Sequence, residues 1–231
     1  MPDMAESKHT RRLVETSLVF LAFLLPGYAS LQPAGTETLK IPALLLPTLF
    51  SAVPQAGLLI YILFVQGEIG RPELGLSRPR AKEVPIALAA ALAMVIVLLS
   101  AELVLAALPE STRAALTRGT RFRLDSWLEL PAAAAFCLIA AAREELLYRA
   151  YLPVRLCDLG LPPAVAVLAA SVLFATAHAY QGPIAVALAM TQGLILAAVF
   201  GRSRALWVPV LAHTLHNVVA LVATLVSGHP I

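Results

Sequence analysis

Residues 84–101, VPIALAAALAMVIVLLSA, run without a single charged side chain. A stretch of that length and apolarity suits a helix whose surroundings are lipid, since a bilayer needs about 20 such residues to be crossed. Comparable runs recur at roughly 13–31, 41–65, 84–108, 128–152, 162–180, 184–200 and 205–227, separated by Pro, Gly and short polar clusters. Charged residues make up 13% of the chain, about half the usual share in a soluble domain. These features predict an all-α fold: a polytopic transmembrane helical bundle of about seven spans, with eight as the alternative count, in one integral membrane domain covering residues 1–231. The motifs that carry chemistry fall in its second half, approximately 128–227.

The first apolar run follows Lys8, Arg11 and Arg12 and is trailed by small residues at Gly27–Ser30. That pattern fits either a cleavable signal peptide or a first spanning helix with a cytoplasmic basic flank. The many later spans favour the helix. Lys and Arg also sit near 66–83, 153–161 and 201–204, whereas the 181–183 loop and the C-terminus have none. The positive-inside rule then places the N-terminus in the cytoplasm and the C-terminus outside. Arg113, Arg118, Arg121 and Arg123 disagree, since that loop would be external. Either it forms an interfacial helix or a span is miscounted. Cys137 and Cys157 fall on one expected helix, about 30 Å apart, too far to bridge.

Polar residues inside the apolar runs are the informative ones, because a charge at a helix centre in lipid costs about 2.5–3.5 kcal/mol on insertion scales. Glu144 and Glu145 end an uncharged stretch of the fourth run. Arg149, four residues after Glu145, can pair with it along the helix. Glu144 points about 100° away, lacks that partner and shares a face with Tyr148. A desolvated carboxylate without a cation is a strengthened base. The same acids would also suit an ordinary helix end at the membrane surface. Phe174 and His178 share a face at i,i+4, and so do His213 and Asn217. Each histidine alone is equally explained by hydrogen bonding between helices. His216 is read only that way.

The LGLPP turn lies midway between Glu144 and His178. Two straight antiparallel helices leaving it place those residues at the same height. With His213 a few turns along its own helix, one cytoplasm-facing intramembrane pocket would collect all three. A Glu and a His facing each other can deprotonate water, and a second His with an Asn can donate hydrogen bonds to an oxyanion. Those are the parts of amide hydrolysis without a serine or cysteine nucleophile. Neither GxSxG nor HExxH is present.

Three segments, Glu144-Glu145-Leu-Leu-Tyr-Arg149, Phe174-Ala-Thr-Ala-His178 and His213-Thr-Leu-His-Asn217, together resemble the EExxxR, FxxxH and HxxxN/D pattern of the type II CAAX prenyl endopeptidase-like (CPBP or ABI) intramembrane proteases. The resemblance covers about 90 residues, from the fourth apolar run to the last. It implies that Glu144, aided by His178, activates water, that His213 and Asn217 bind the oxyanion, and that Glu145 with Arg149 forms a structural ion pair. Phe174 would pack and orient. It implies a glutamic endopeptidase with no required cofactor; a zinc metalloprotease using Glu144, His178 and His213 is the alternative. The implied substrate is a membrane-tethered or lipidated protein or peptide. The bilayer is the other partner, and nucleic acid is not expected.

Two other classes compete. One is a non-catalytic scaffold or immunity protein with the same fold, against which the complete motifs weigh. The other is a proton-coupled transporter, which also places Glu and His inside membranes; the lack of an inverted repeat weighs against that. The expected location is a cell membrane, of the bacterial inner-membrane type, with the active site opening toward the cytoplasm. Oligomeric state is not readable from the sequence.

Overall fold

The computed structural model describes residues 2–24, 38–65 and 74–228. Helix α1 (Pro2–Val19) continues into a π-helical turn at Phe20–Leu24. A short strand β1 (Thr38–Lys40) leads into α2 (Ile41–Val65), then α3 (Val84–Ala106) and the short α4 (Glu110–Leu116). Strand β2 (Arg121–Arg123) precedes α5 (Leu130–Glu145), a π-helical segment Leu146–Tyr151 and α6 (Leu152–Asp158). Helices α7 (Pro163–Thr176), α8 (Pro183–Ser203) and α9 (Trp207–Ser227) complete the chain.

Prolines sit in the first turn of α3, α5, α7 and α8. There the missing N–H costs nothing, because first-turn amides have no helical acceptor. Helix α9 lies at the centre and packs against α3, α5 and α8. Helix α3 shows how such a helix meets both protein and lipid. Ala87, Ala90, Ala91 and Met94 are buried, while Leu88, Leu92, Ile96, Leu99 and Leu103 form an exposed stripe at helical spacing. Small residues toward neighbouring helices and large apolar ones outward are the membrane arrangement, because lipid supplies no hydrophobic drive between helices.

Five helices among the described residues are long and apolar enough to cross a membrane: Ile41–Ile62, Ala81–Ala106, Pro163–Gln181, Pro183–Ser203 and Trp207–Ser227. They coincide with five of the seven expected runs. The run at 13–31 falls partly outside the described residues, and its helix begins much earlier, at Pro2. The run at 128–152 is helical but carries Arg143, Glu144, Glu145 and Arg149, and its helix continues to Asp158 through the π turn. The expected count of about seven is therefore supported for five.

Two departures concern the ends of the bundle. The fold is not purely helical: β1 and β2 pair in parallel, with Thr38 opposite Arg121 and Lys40 opposite Arg123. Three-residue strands lie below what periodicity can detect. The second concerns the four-arginine segment, for which the alternatives were an interfacial helix or a miscounted span: it holds the short helix α4 and, beyond it, strand β2. Arg113 bonds Glu110, Arg121 bonds Thr117 and Arg123 bonds Asp125. This segment docks on the turn after α7, where the Thr120 amide donates to the Tyr180 carbonyl at 2.9 Å. A Cβ on Gly119 would lie 2.3 Å from the Gln181 carbonyl carbon, so only glycine allows that backbone approach.

At the opposite end, the Leu206 amide donates to Gly75 O, Trp207 Nε1 donates to Glu83, and a buried cluster joins Glu15 to Arg155 and Tyr151.

Candidate active site

The π-helical segment begins directly after Glu145. Such bulges widen a helix by one residue and recur at functional sites. Glu145 is completely buried, and its two oxygens face two partners. Oε2 lies 3.1 Å from Arg149 Nε, a contact of opposite charges without hydrogen-bond alignment, and Oε1 lies 2.9 Å from His213 Nδ1. Arg149 is itself buried; its Nη2 donates to Gly193 O at 3.3 Å and its guanidinium sits 4.6 Å from the centre of the Phe174 ring.

Phe174 is the hub of this layer. Its ring meets Tyr148 at 5.2 Å, His178 at 4.7 Å and His213 at 5.9 Å, each edge-on. Gly193 leaves room for it, because a Cβ there would approach Phe174 Cδ1 to 3.1 Å. Tyr148 is buried against Phe174, so it supports the layer from behind.

In front of this layer lies a cavity of about 660 Å³, within the range of small-ligand sites. Glu144, His178, His213 and Asn217 all line it. Glu144, His178 and His213 thus share one cavity, as their spacing suggested, and Asn217 lines it as well. His178 does not lie within its helix, however; α7 ends at Thr176 and His178 sits in the turn before Ala179–Gln181. Its Nδ1 is 2.8 Å from Phe174 O. A carbonyl only accepts, so Nδ1 carries the proton and Nε2 is left with its lone pair. His213 Nε2 lies 3.8 Å from Glu144 Oε2.

Glu144 departs from expectation in having a cation beside it. Arg143 Nη2 donates to Oε1 at 3.1 Å. Adjacent helical residues do not ordinarily face each other, which is why the spacing argument left Glu144 alone. The second departure is Glu145, which holds His213 as well as Arg149.

The cavity lies in the half of the bundle that carries α4, β2 and the 179–182 turn, with exposed Glu102, Ala106, Glu110 and Ala114 on its rim. Arg155, Arg202 and Arg204 sit at the other end. The expectation that those arginines mark the cytoplasm and the expectation of a cytoplasm-facing pocket therefore exclude each other. The sequence argument measured both Glu144 and His178 from the LGLPP turn and assigned the pocket to that end, whereas α7 carries His178 to the opposite end of the bundle, beside the 179–182 turn.

Other residues join the site without having been signalled. Gln192 Nε2 lies 2.9 Å from His216 Nε2, and both residues line the cavity. A lone amide within the apolar α8 was the available clue. Tyr180 lines it too, its hydroxyl accepting from Gln181 Nε2 at 2.8 Å and its ring meeting Phe122 edge-on. Among the described residues, no group of three or more His, Cys, Asp or Glu is arranged to hold a metal ion.

Comparison with known proteins agrees with the motif reading. Residues 126–219 match the family model described as type II CAAX prenyl endopeptidase Rce1-like. The match spans less than half of the chain and includes all four cavity-lining motif residues. No curated protein and no solved structure matches. The matched segment carries the motif residues, and the apolar helices are long enough to cross a membrane.

Proposed function

We propose that the protein is a glutamic intramembrane endopeptidase that hydrolyses a peptide bond in a membrane-tethered or lipidated protein or peptide. The observation that carries this reading is the convergence of Glu144 from α5, His178 from the turn after α7, and His213 and Asn217 from α9 on one cavity.

Water held between Glu144 and His178 Nε2 gives a proton to the Glu144 carboxylate while its oxygen bonds to the scissile carbonyl carbon. Charge moves onto the carbonyl oxygen, where His213 Nε2–H and the Asn217 side-chain amide donate. Glu145 Oε1, 2.9 Å from Nδ1, holds the His213 ring with Nε2 toward Glu144. Collapse of the intermediate breaks the C–N bond, and Glu144 returns its proton to the leaving nitrogen. Arg143 stabilises the carboxylate form of Glu144 between cycles. The proposed steps use the chain's own side chains and need no metal.

Glu144→Gln keeps the shape of the side chain and removes the base. It is expected to abolish cleavage at unchanged abundance in the membrane; cleavage retained at a wild-type rate would remove Glu144 from the mechanism.

A further inference from the structure

At the end of the bundle away from the cavity, Arg78, Arg80 and Lys82 precede α3, and Arg202 and Arg204 stand where α8 closes. All five are exposed, and none forms an ion pair with a carboxylate among the described residues. The two basic segments are far apart in the chain but joined in space. The Leu206 amide donates to Gly75 O at 2.8 Å, and Trp207 Nε1 donates to Glu83 Oε2 at 3.0 Å. The 75–83 loop is thereby tied at both ends to the start of α9. Gly75 has φ +66°, and a Cβ there would lie 2.6 Å from Phe200 Cε2 and 3.0 Å from the Leu206 nitrogen, so the first tie favours glycine. Glu83 is the one acid in segments 75–83 and 200–207, and it is buried and bonded to the Trp207 indole. The exposed surface of the joined segments therefore carries positive charge alone.

We propose that this surface binds the headgroup phosphates of anionic phospholipids in the leaflet at this end of the bundle. The outward stripe of α3 starts beside it: Val84, two residues after Lys82, and Leu88 are exposed and meet acyl chains. A phospholipid whose chains lie along that stripe carries its phosphate at the level of residues 78–82. Indoles settle at the same depth, and Trp207 stands half-buried between the two basic segments. Orientation in the membrane requires only that cations stay on one side. Tying them together does more, because attraction to an anionic leaflet grows with each Lys or Arg held within a Debye length of it. The guanidinium groups also match phosphate oxygens in pairs. The inference stands apart from the endopeptidase reading, since Glu144 and the cavity are at the other end. Soluble phosphate offers the same oxygens, so the test separates the two sources.

The full chain with Trp127→Phe, which leaves Trp207 as its only tryptophan, is reconstituted in vesicles of phosphatidylcholine and phosphatidylglycerol in equal parts. One lipid or the other carries bromine high on its acyl chains, and quenching of Trp207 fluorescence reports which lipid adjoins it. With the five cations intact, phosphatidylglycerol is expected to be enriched at least about five-fold at Trp207, the effect of one well-placed cation, and to lose that enrichment in high salt. Arg78→Gln/Arg80→Gln/Lys82→Gln and Arg202→Gln/Arg204→Asn are each expected to lose part of the preference, and their combination all of it. Asn suits position 204, where φ is 52°. An unchanged Trp207 emission maximum in pure phosphatidylcholine shows that the ties survive; if the combined variant fails that check, the two partial variants decide. Equal quenching by the two lipids, an undiminished preference in both partial variants, or a loss confined to one of them overturns the proposal. So does loss of the preference on adding inorganic phosphate at matched ionic strength, which would assign the surface to a soluble anion.

Discussion

Glu145 and His213 stand 68 positions apart in the chain and are joined by a 2.9 Å contact between carboxylate Oε1 and imidazole Nδ1. The two residues bracket the site: one ends α5, the other lies in the central helix α9. With Arg149 on the other oxygen, Glu145 is the shared anion of a buried three-residue cluster. Removing one member of such a cluster leaves an uncompensated charge, which costs about 3–5 kcal/mol. Glu145→Ala is therefore expected to lower thermal stability in detergent as well as activity, and Glu145→Ala combined with Arg149→Met is expected to recover part of the stability but none of the activity. An unchanged unfolding temperature in Glu145→Ala would contradict the cluster's structural role.

Gly193→Ala tests the Phe174 hub. The added methyl would press on Phe174 Cδ1 at 3.1 Å, and the ring touches both His178 and His213. Overpacking of this kind costs about 1–3 kcal/mol. The expected result is a modest loss of stability with a larger loss of turnover. Wild-type turnover with wild-type stability would show that the ring can yield without moving either histidine.

Gly119→Ala tests the docking of the arginine-bearing segment. The clash is with backbone atoms of Gln181 and Gly182, which have no flexible end to move aside. Limited proteolysis is expected to cut within 107–126 in the variant far faster than in wild type, with activity reduced. Equal protection in both proteins would mean that the contact does not hold the segment.

The pairing beside β1 and β2 predicts a pH dependence. The hydrogen bond from Lys40, then that from Arg123, holds the Asp125 carboxyl below its ordinary range, and the same bond holds Lys40 above its own. The Asp125 contribution is present above its unfolded pKa and is lost as pH falls through the lowered folded value. The Lys40 contribution is present below its unfolded pKa and is lost as pH rises through the raised one. Both operate together between about pH 4 and about pH 10. Asp125→Asn is expected to show a small loss of thermal stability across neutral pH that closes below about pH 4. A deficit of equal size at pH 3 would assign it to something other than this charge.

A chelator is expected to leave cleavage unchanged. Inhibition that Zn²⁺ reverses would favour the metalloprotease alternative and would require Glu144, His178 and His213 to move together on binding.

The sequence made the spans and the motif residues legible for different reasons. Charge-free runs such as 84–101 must be helical in lipid, since no other partner exists for their backbone groups. Polar residues stand out in them because each one is expensive. The i,i+4 spacing made Glu145–Arg149, Phe174–His178 and His213–Asn217 legible as pairs, although the first spans the π segment and His178 lies just past the end of α7. What stayed hidden depends on contacts between segments. The Glu145–His213 bond, the Arg143 contact to Glu144 made beside a π turn, and the docking of Gly119 on Gln181 leave no periodic trace. The side of the bundle on which the cavity lies was misread for the same reason, since loop charges report where loops are and not how far down a helix a side chain sits.

The central claim is tested most directly by comparing the protein termini of membranes from host cells carrying wild type or Glu144→Gln, matched for abundance and read by mass spectrometry. The account predicts a specific set of new termini present with wild type and missing with the variant, from which the substrate and its bond are read. Identical sets of termini in the two membranes would contradict it.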